Sequence, residues 1–558
     1  MRFSKLLLAG AAALTLLSCG KKDERANAPS SETSQQATKL NAASPLEKSF
    51  RLSDAAPIDI DALFALMPEE SQPTYESASF DDSLGATVVS NLRFADNDDG
   101  EAVIVERAEF FGVDLNAIDR VRDAADASAS APFERIFDKV RFFNVTTEGF
   151  EDDDEAVDLT IGGVELDQLQ LRQGGFQSDG DGDEGARFFN AINLAGLYFK
   201  DFQVETKSEE SPQIVMTAPD VRFVGIGGGR LSAILANDLG YSLAQTDASR
   251  AAMREVMGAQ GAVFLNGPLA GFVAPDSQRV SMKSFEWRNI DFSGLLEWGL
   301  KGEKPPMTAE NLIDLGTMKA LETETYVSGK LAGTVKEVTM SDAEFIWMIP
   351  SNFRIDAKDA NYDYTAYVPE TEEDLLNVMK EYGLDKLEGD GYAQWVWNED
   401  TGVADFDYVA NAPGFMDFAM DFGVSGLDID EMAAAQETSA QNPFAATGAF
   451  RNFSFRLQDE KALDAIFAIA ALQMGGAGED LRQSAPAMIR LTGAQAAQMN
   501  PRISGYVNAL ADFVAKGGAL EITAEPAEPV DFSTLQATSA SAPQTIPDVL
   551  NLQVTHTP

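Results

Sequence analysis

The chain has 558 residues, 45% of them hydrophobic and 35 of them Phe, with 89 acidic against 42 basic side chains for a formal charge of −47. That is enough for about two to four domains with real apolar cores, and the charge excludes a nucleic-acid partner and works against anionic headgroups. The single cysteine leaves no intramolecular disulfide, so the body must rely on its core.

In chain order, Arg2 and Lys5 precede a mostly apolar run from Leu6 to Leu17. A basic start and a short apolar run read as a secretion signal over residues 1–18, too short for a bilayer span of about 20 residues. The run ends Leu16-Leu17-Ser18-Cys19. This resembles the lipobox of bacterial lipoproteins, with an aliphatic residue three before the cysteine and a small one directly before it; Leu17 departs from the usual choice between them. The resemblance implies cleavage before Cys19, lipidation of Cys19 and a body held to a membrane through acyl chains, firmly where two or more are present. Gly20, where an aspartate would favour inner-membrane retention, implies an outer-membrane address, with the body in the periplasm or at the cell surface. Residues 19–48 are largely polar and aperiodic and read as a disordered tether, with a reach of about 28 Å.

A β-rich domain is expected over 49–367, an α+β domain over 368–535 and a loosely ordered tail over 536–558. Within the first, a helix is expected over Asp59–Met67, ended by Pro68. Others are expected over Leu231–Leu239 before Gly240, over Ala248–Met257 entered through Thr246 and Asp247, and over Ala309–Glu322. Thr371 reads as the N-cap of a helix with Leu375, Leu376, Met379 and Tyr382 on one face and Gly383 as terminator. Tyr392–Trp397 and Val403–Tyr408 flank Asn398–Gly402 as a hairpin. Lys461–Met474 and Arg502–Lys516 read as helices, and Leu520–Thr523 as a strand.

A short pattern recurs. VERAEFFGVDLNAI (105–118), FDKVRFFNVTTEGF (137–150), LAGLYFKDFQVETK (194–207), MKSFEWRNIDFSGL (282–295) and VKEVTMSDAEFIWM (335–348) each alternate apolar residues up to a pivot and then resume one step out of phase. The pivots are Gly112, Asn144, Asp201, Asn289 and Asp342, with weaker copies at Gly163, Gly225, Gly426 and Asn452. Gly, Asn and Asp tolerate a left-handed backbone, so each copy reads as a bulged strand whose apolar face continues through the bend. Irregular spacing suits a large, curved antiparallel sheet rather than a solenoid. In style these strands are similar to AsmA-type envelope proteins, a resemblance over about residues 85–365 that implies a β-groove for lipids.

Most catalytic chemistries find no residues. His556, the only histidine, lies two residues from the C-terminus, which disfavours a Ser-His-Asp or Cys-His arrangement and a zinc site. Gly225–Arg230 lacks phosphate-loop spacing and reads as a strand-to-helix turn. Asp179, Asp181 and Asp183 place hard oxygens at every second position, as calcium loops do, but Glu184 stands where such a loop wants glycine. They are candidate calcium ligands or a solvated acidic loop. Paired carboxylates of the kind that hydrolyse glycosides arise easily among 89 acids. Trp395 and Trp397 share a strand face and are candidates to line a ligand groove, or else pack with Phe406 and Tyr408 across the hairpin.

The expected fold class is α+β: a large curved antiparallel sheet of bulged strands, helical insertions and a more helical C-terminal region. The expected role is a membrane-anchored, non-enzymatic envelope lipoprotein that scaffolds or binds a protein partner. A lipid-binding or lipid-transfer groove is the alternative, and a carboxylate-based hydrolase the second. No cofactor is required beyond the candidate calcium.

Overall fold

The computed structural model describes residues 45–53, 55–67, 72–95, 101–124, 131–152, 155–175, 184–208, 211–265, 270–438 and 446–558. Helix makes up 29% and strand 49%, with antiparallel pairing and more helix toward the C-terminus, an α+β fold. Contacts divide the chain into two units. The N-terminal unit holds residues up to Met253 with Arg279–Pro305 and Ile313–Gly316; the C-terminal unit holds Arg254–Gln278, Pro306–Leu312 and Thr317–Pro558. The main division falls at 317 and not at 367, because strands on either side of 367 pair directly, as Phe353 does with Trp395.

The N-terminal unit is a meander. Its strands are β1 (Ser77–Asp81), β2 (Ala86–Ala95), β3 (Ala102–Phe111), β4 (Phe133–Glu148), β5 (Glu151–Asp152), β6 (Glu155–Arg172), β7 (Ile192–Ser208), β8 (Gln213–Gly227), β9 (Arg230–Ala244) and β10 (Ser277–Asp291). Each pairs with the next, except that β4 pairs with β6 and β5 forms a short hairpin on β6. Two helices start on aspartate caps. Asp59 accepts from the Ala62 N–H ahead of α1 (Ile60–Phe64), and Asp114 from the Ala117 N–H ahead of α2 (Leu115–Arg122). Their apolar residues join one core with Val89, Leu92, Ala108, Phe110 and Leu166.

Six of the nine pivots have the left-handed backbone their residue types suggest; Gly163, Asp342 and Asn452 are not among the positive-φ residues. Gly112, Asn144, Asp201 and Asn289 have φ of 62°, 52°, 50° and 59°, and Gly225 and Gly426 have 66° and 74°. The register shows that these are not independent bulges. Asn91 in β2, Asn144 in β4, Asp201 in β7 and Asp238 in β9 all have positive φ and fall in one line across the sheet. Between them Glu106, Gly162 and Pro219 are likewise skipped by the pairing. Pairing resumes unshifted on the far side: Val105 faces Val145 and Arg107 faces Phe143; Ile161 faces Phe202 and Gly163 faces Lys200. Along this line no strand gains a residue over its neighbour, so there the expected insertion is replaced by a crease that the strands share; β4 does shift register against β6 elsewhere, between Arg135 and Phe137. Both strands switch parity together. Val140 and Phe142 are buried on one side and Val145 on the other, matched in β6 by Val164 and Leu166 against Leu159 and Ile161. Gly112 ends β3 rather than bending it; the switch within β3 lies at Glu106. Register shifts do occur beside Asp342, between Ser341 and Glu344, and beside Asn452, between Gly423 and Val424.

The C-terminal unit continues the style. Its strands are β11 (Glu310–Asp314), β12 (Thr317–Val327), β13 (Lys330–Ile346), β14 (Ile349–Tyr362), β15 (Leu387–Asn398), β16 (Val403–Ala412), β17 (Met416–Ser425), β18 (Ala449–Asp459), β19 (Gly518–Ala524), β20 (Val530–Asp531) and β21 (Leu552–Thr557). Strands β12 to β19 pair in sequence, and β21 closes against β19.

Two expected helices are strands. Leu231–Leu239 lies in β9, and Ala309–Glu322 covers β11 and the start of β12. Asp238, Asn311 and Glu322 have positive φ there. A phase slip in a two-residue alternation produces three-residue apolar spacing, which imitates a helix. Gly225–Arg230 accordingly leads into a strand, with Gly228 and Gly229 at φ 58° and 78°. The helix expected from Ala248 is α3 (Asp247–Leu265), opened by reciprocal Thr246 and Ser249 bonds of 3.0 and 3.1 Å. The helix after Thr371 is α4 (Glu373–Glu381), with Glu372 at the cap and Gly383 at φ 79° just past its end. Then follow α5 (Ile429–Thr438), α6 (Ala462–Met474), α7 (Gly478–Met499) and α8 (Arg502–Lys516). Helix α7 was not anticipated, because Pro486 in its interior and Gly493 both argue against a helix. The expected loose tail carries α9 (Phe532–Ser541) and β21.

Candidate functional site: the aromatic face of the C-terminal unit

Cys19, Asp179, Asp181 and Asp183 lie outside the described residues. Among the described residues no group of three or more His, Cys, Asp or Glu is arranged to hold a metal. His556 is tied into β21, its Nε2 2.7 Å from the Gly517 carbonyl oxygen and its ring edge-on to Phe513.

The hairpin around Asn398–Gly402 forms as expected, with Trp395 opposite Phe406 and Ala393 opposite Tyr408. Trp397 is 4% exposed, donates to the Leu427 carbonyl at 3.1 Å and packs in a core with Met432 and Val424. Trp395 is only half-buried, although its indole N–H donates to Pro350 at 2.7 Å. It belongs to a row of directly opposed aromatic residues, Phe353, Trp395, Phe406, Phe422 and Phe453, running across β14 to β18. The next row is Ile355, Ala393, Tyr408, Met420 and Phe455, and beyond it lie Ala357, Gly391, Ala410, Phe418 and Leu457. Side chains on alternate positions share a face, so the three rows form one apolar surface.

That surface is uneven. Ala357, Gly391, Ala393 and Ala410 make a low floor between larger side chains. Gly391 has no room for a side chain, since a Cβ would sit 2.7 Å from the Val409 carbonyl oxygen. Past a bulge at Asp359 (φ 52°), where the pairing with β15 shifts register, the face continues through Ala360 and Tyr362. Here Phe272 stacks on Tyr367 at 4.7 Å and Tyr362 on Tyr364 at 6.0 Å, while Tyr408 meets Phe418 edge-on at 5.5 Å. Burial, and then neighbouring tyrosines, raise the phenols of Tyr362 and Tyr364. The face stays open at Ile355 and Tyr408 in its middle and at Tyr362 at the end of β14, which are 38%, 37% and 36% exposed.

The opposite face is polar. Asp407 and Asp421 stand directly opposite each other there, with Asp405 beside them, so the paired carboxylates and the aromatic rows lie on different sides of the sheet. Burial first, then the charge and hydrogen bond of Asp407 and the charge of Asp405, push the Asp421 carboxyl above the usual range, against Arg451. An acid whose folded pKa is raised stabilises the fold below its unfolded pKa and loses that contribution as pH rises through the folded one. Asp421→Asn should therefore raise the midpoint of urea unfolding at neutral pH, and the gain should shrink as the pH is lowered through the carboxylate range. A gain independent of pH would show that the charge of Asp421 is not its cause.

In the N-terminal unit the sequence concealed a buried ion cluster. Lys139, Arg141 and Glu165 are 6%, 6% and 1% exposed. Glu165 accepts from Lys139 and, at 2.7 Å, from Arg141 Nε. The end of the expected tether, where Pro45–Glu47 form a short helical turn rather than disordered chain, and the residues just after it cover them. Arg141 Nη2 donates to the Lys48 carbonyl at 3.1 Å, and the Phe50 ring lies 5.0 Å from both Lys139 Nζ and the Phe111 ring. Opposed charges at alternate positions of β4 and β6 were the available signal, masked by the many acids around them.

Residues 410–557 match a family model described as an uncharacterized protein. No curated protein matches the chain. The matched stretch runs from the end of β16 to β21, so it includes the aromatic contributions of β17 and β18 and the helices α6 to α8.

Proposed function

We propose that this chain is a non-enzymatic envelope protein, tethered to a membrane through Cys19, that binds a lipid-like apolar ligand on the aromatic face of its C-terminal unit. The supporting observation is the open part of that face, where Ile355 and Tyr408 in its middle and Tyr362 at its end each remain more than a third exposed. Apolar area left in water forgoes about 25 cal/mol per Å², and contiguous patches of this kind mark binding surfaces. An elongated apolar molecule fits a face with a floor of Ala and Gly and walls of aromatic rings, and it needs few polar contacts.

The chain from Gly20 onward, which lacks Cys19 but keeps the Pro45 and Lys48 carbonyls on Arg141, made in cells that synthesise bacterial lipids and examined by native mass spectrometry with solvent extraction, should carry a stoichiometric acyl lipid. Ala393→Trp, which fills the floor, should lower that occupancy about tenfold, equivalent to about 1.4 kcal/mol, with the fold intact by circular dichroism. A protein that emerges clean would overturn the lipid reading and leave the open face to an envelope protein partner, to be found by cross-linking in intact envelopes.

A further inference from the structure

The aromatic face extends beyond its three rows. Register carries it onto β13 and β12, where Met340 and Met318 continue the line of Ile355, and Val335 and Thr323 the line of Ala360. Across β14 to β17, and over Gly333–Met340 of β13 and Met318–Thr325 of β12, no position of this face holds a charged side chain, in a chain of which 23% is charged. The five bases on β12 to β17 are all paired to carboxylates: Lys319 and Lys358 to Glu337, Lys330 to Glu370, Lys336 to Asp359 and Arg354 to Asp356. The face therefore offers an anion no counter-charge.

What it offers instead, at the end past Asp359, is hydroxyl groups. The short 3-10 turn Tyr364–Tyr367 lies there, with Tyr367 packed against Val327 and Ala332. Burial first, and then only other phenols, act on Tyr362 and Tyr364: Tyr408 and Tyr367 on the former, Tyr362, Tyr367 and Tyr408 on the latter. Among the described residues no protein group hydrogen-bonds to any of these four phenols. Thr323, in the row next to that of Tyr362, has a hydroxyl that is buried with no partner among the described residues. The planes of Phe272 and Tyr367 meet at 13°, and those of Tyr362 and Tyr364 at 22°. Stacked rings occupy one another's faces and leave no box of converging faces to enclose a quaternary ammonium.

A phenol or threonine hydroxyl donates to an ester carbonyl, and both donates to and accepts from an alcohol. It does not neutralise a phosphate or a carboxylate, and an ion moved onto an apolar face without a counter-ion loses hydration that nothing replaces. The acidity of the whole chain adds repulsion against any anion. We infer, building on the lipid reading above, that the ligand of this face is a lipid with an uncharged polar end, of the diacylglycerol class, whose ester and hydroxyl groups are held by Tyr362, Tyr364, Tyr367 and Tyr408.

The test titrates three dioctanoyl lipids that differ only at the head, diacylglycerol, phosphatidic acid and phosphatidylcholine, into the chain from Gly20 onward; each carries the same fluorophore at the end of one acyl chain. Diacylglycerol should bind at least tenfold tighter than either phospholipid. Tyr362→Phe/Tyr408→Phe, which keeps both rings and removes two hydroxyls, should bring diacylglycerol down toward the phospholipids with circular dichroism unchanged, and Ala393→Trp should weaken all three. Equal affinities, or a preference for phosphatidic acid or phosphatidylcholine, would overturn the head-group assignment and leave the lipid-binding face standing. A diacylglycerol preference that survives the tyrosine change would also overturn it, by taking the head group away from the phenols. If none of the three binds, the lipid reading and the head-group assignment fall together.

Discussion

Glu165→Ala should unfold the N-terminal unit far more readily than any exposed acid-to-alanine change in it. Glu165 is 1% exposed and bonded to Lys139 and Arg141, which are themselves buried. Removing the carboxylate leaves two cations with little water to solvate them. Breaking a buried pair from one side costs about 3–5 kcal/mol, because the partner charge is stranded. Asp167 lies 3.3 Å from Lys139 Nζ and offsets part of this for the lysine, but Arg141 keeps only the carbonyls of the covering segment. Asp158→Ala makes a fair comparison: Asp158 and Lys207 are paired but 53% and 52% exposed, and such pairs contribute little. Hydrogen exchange read at β4 and β6 amides separates the two cases. Loss of protection in Glu165→Ala with none in Asp158→Ala is the expected result. Equal behaviour would mean that the cluster is solvated after all and that Phe50 does not seal it.

Asn144→Val should destabilise the unit by about 2 kcal/mol, the penalty for forcing a β-branched residue into a left-handed backbone. Asn144 sits at φ 52° on the crease, and its amide also donates to Glu106 at 2.5 Å. Both variants of a Val and Gly pair lose that bond, so the contrast isolates the backbone. Asn144→Gly should stay within about 1 kcal/mol of the parent. Urea unfolding of the three chains checks this. If the Val and Gly variants fall together, the side-chain bond rather than the crease is what Asn144 supplies.

Much of the fold was legible because its signals are local. The Asn398–Gly402 turn, the glycine stop at Gly475 and the amphipathic run of α8 each depend on neighbours a few residues apart, and the structure places them as expected. The phase slips at Asn144 and Asp201 were also visible. That they align across strands was not, since alignment is a property of register, set by hairpin lengths and not by any one segment. The same slips made β9 and β11 look helical. The site was half legible. Trp395 and Trp397 share a strand face, but only burial by α5 and Leu427 distinguishes the core indole from its half-buried neighbour at the edge of that core. The floor of Ala393, Gly391 and Ala410 carries no signal in sequence, because small residues there look like absence of packing until the neighbouring strands are known.

The crease has a consequence for how such a sheet grows. Its left-handed residues occur on every second strand in sheet order, β2, β4, β7 and β9, while β3, β6 and β8 supply only the residue opposite. The natural increment is therefore a hairpin, one creased strand with one plain partner, joined to its neighbours by turns free to vary in length. A hairpin can be gained or lost whole and the remaining line stays straight, whereas a single added residue inside any one strand would turn its apolar side to the wrong face along half its length. Relatives of this chain should accordingly differ by paired strands and by loop insertions, and keep the distance from crease to strand end nearly fixed.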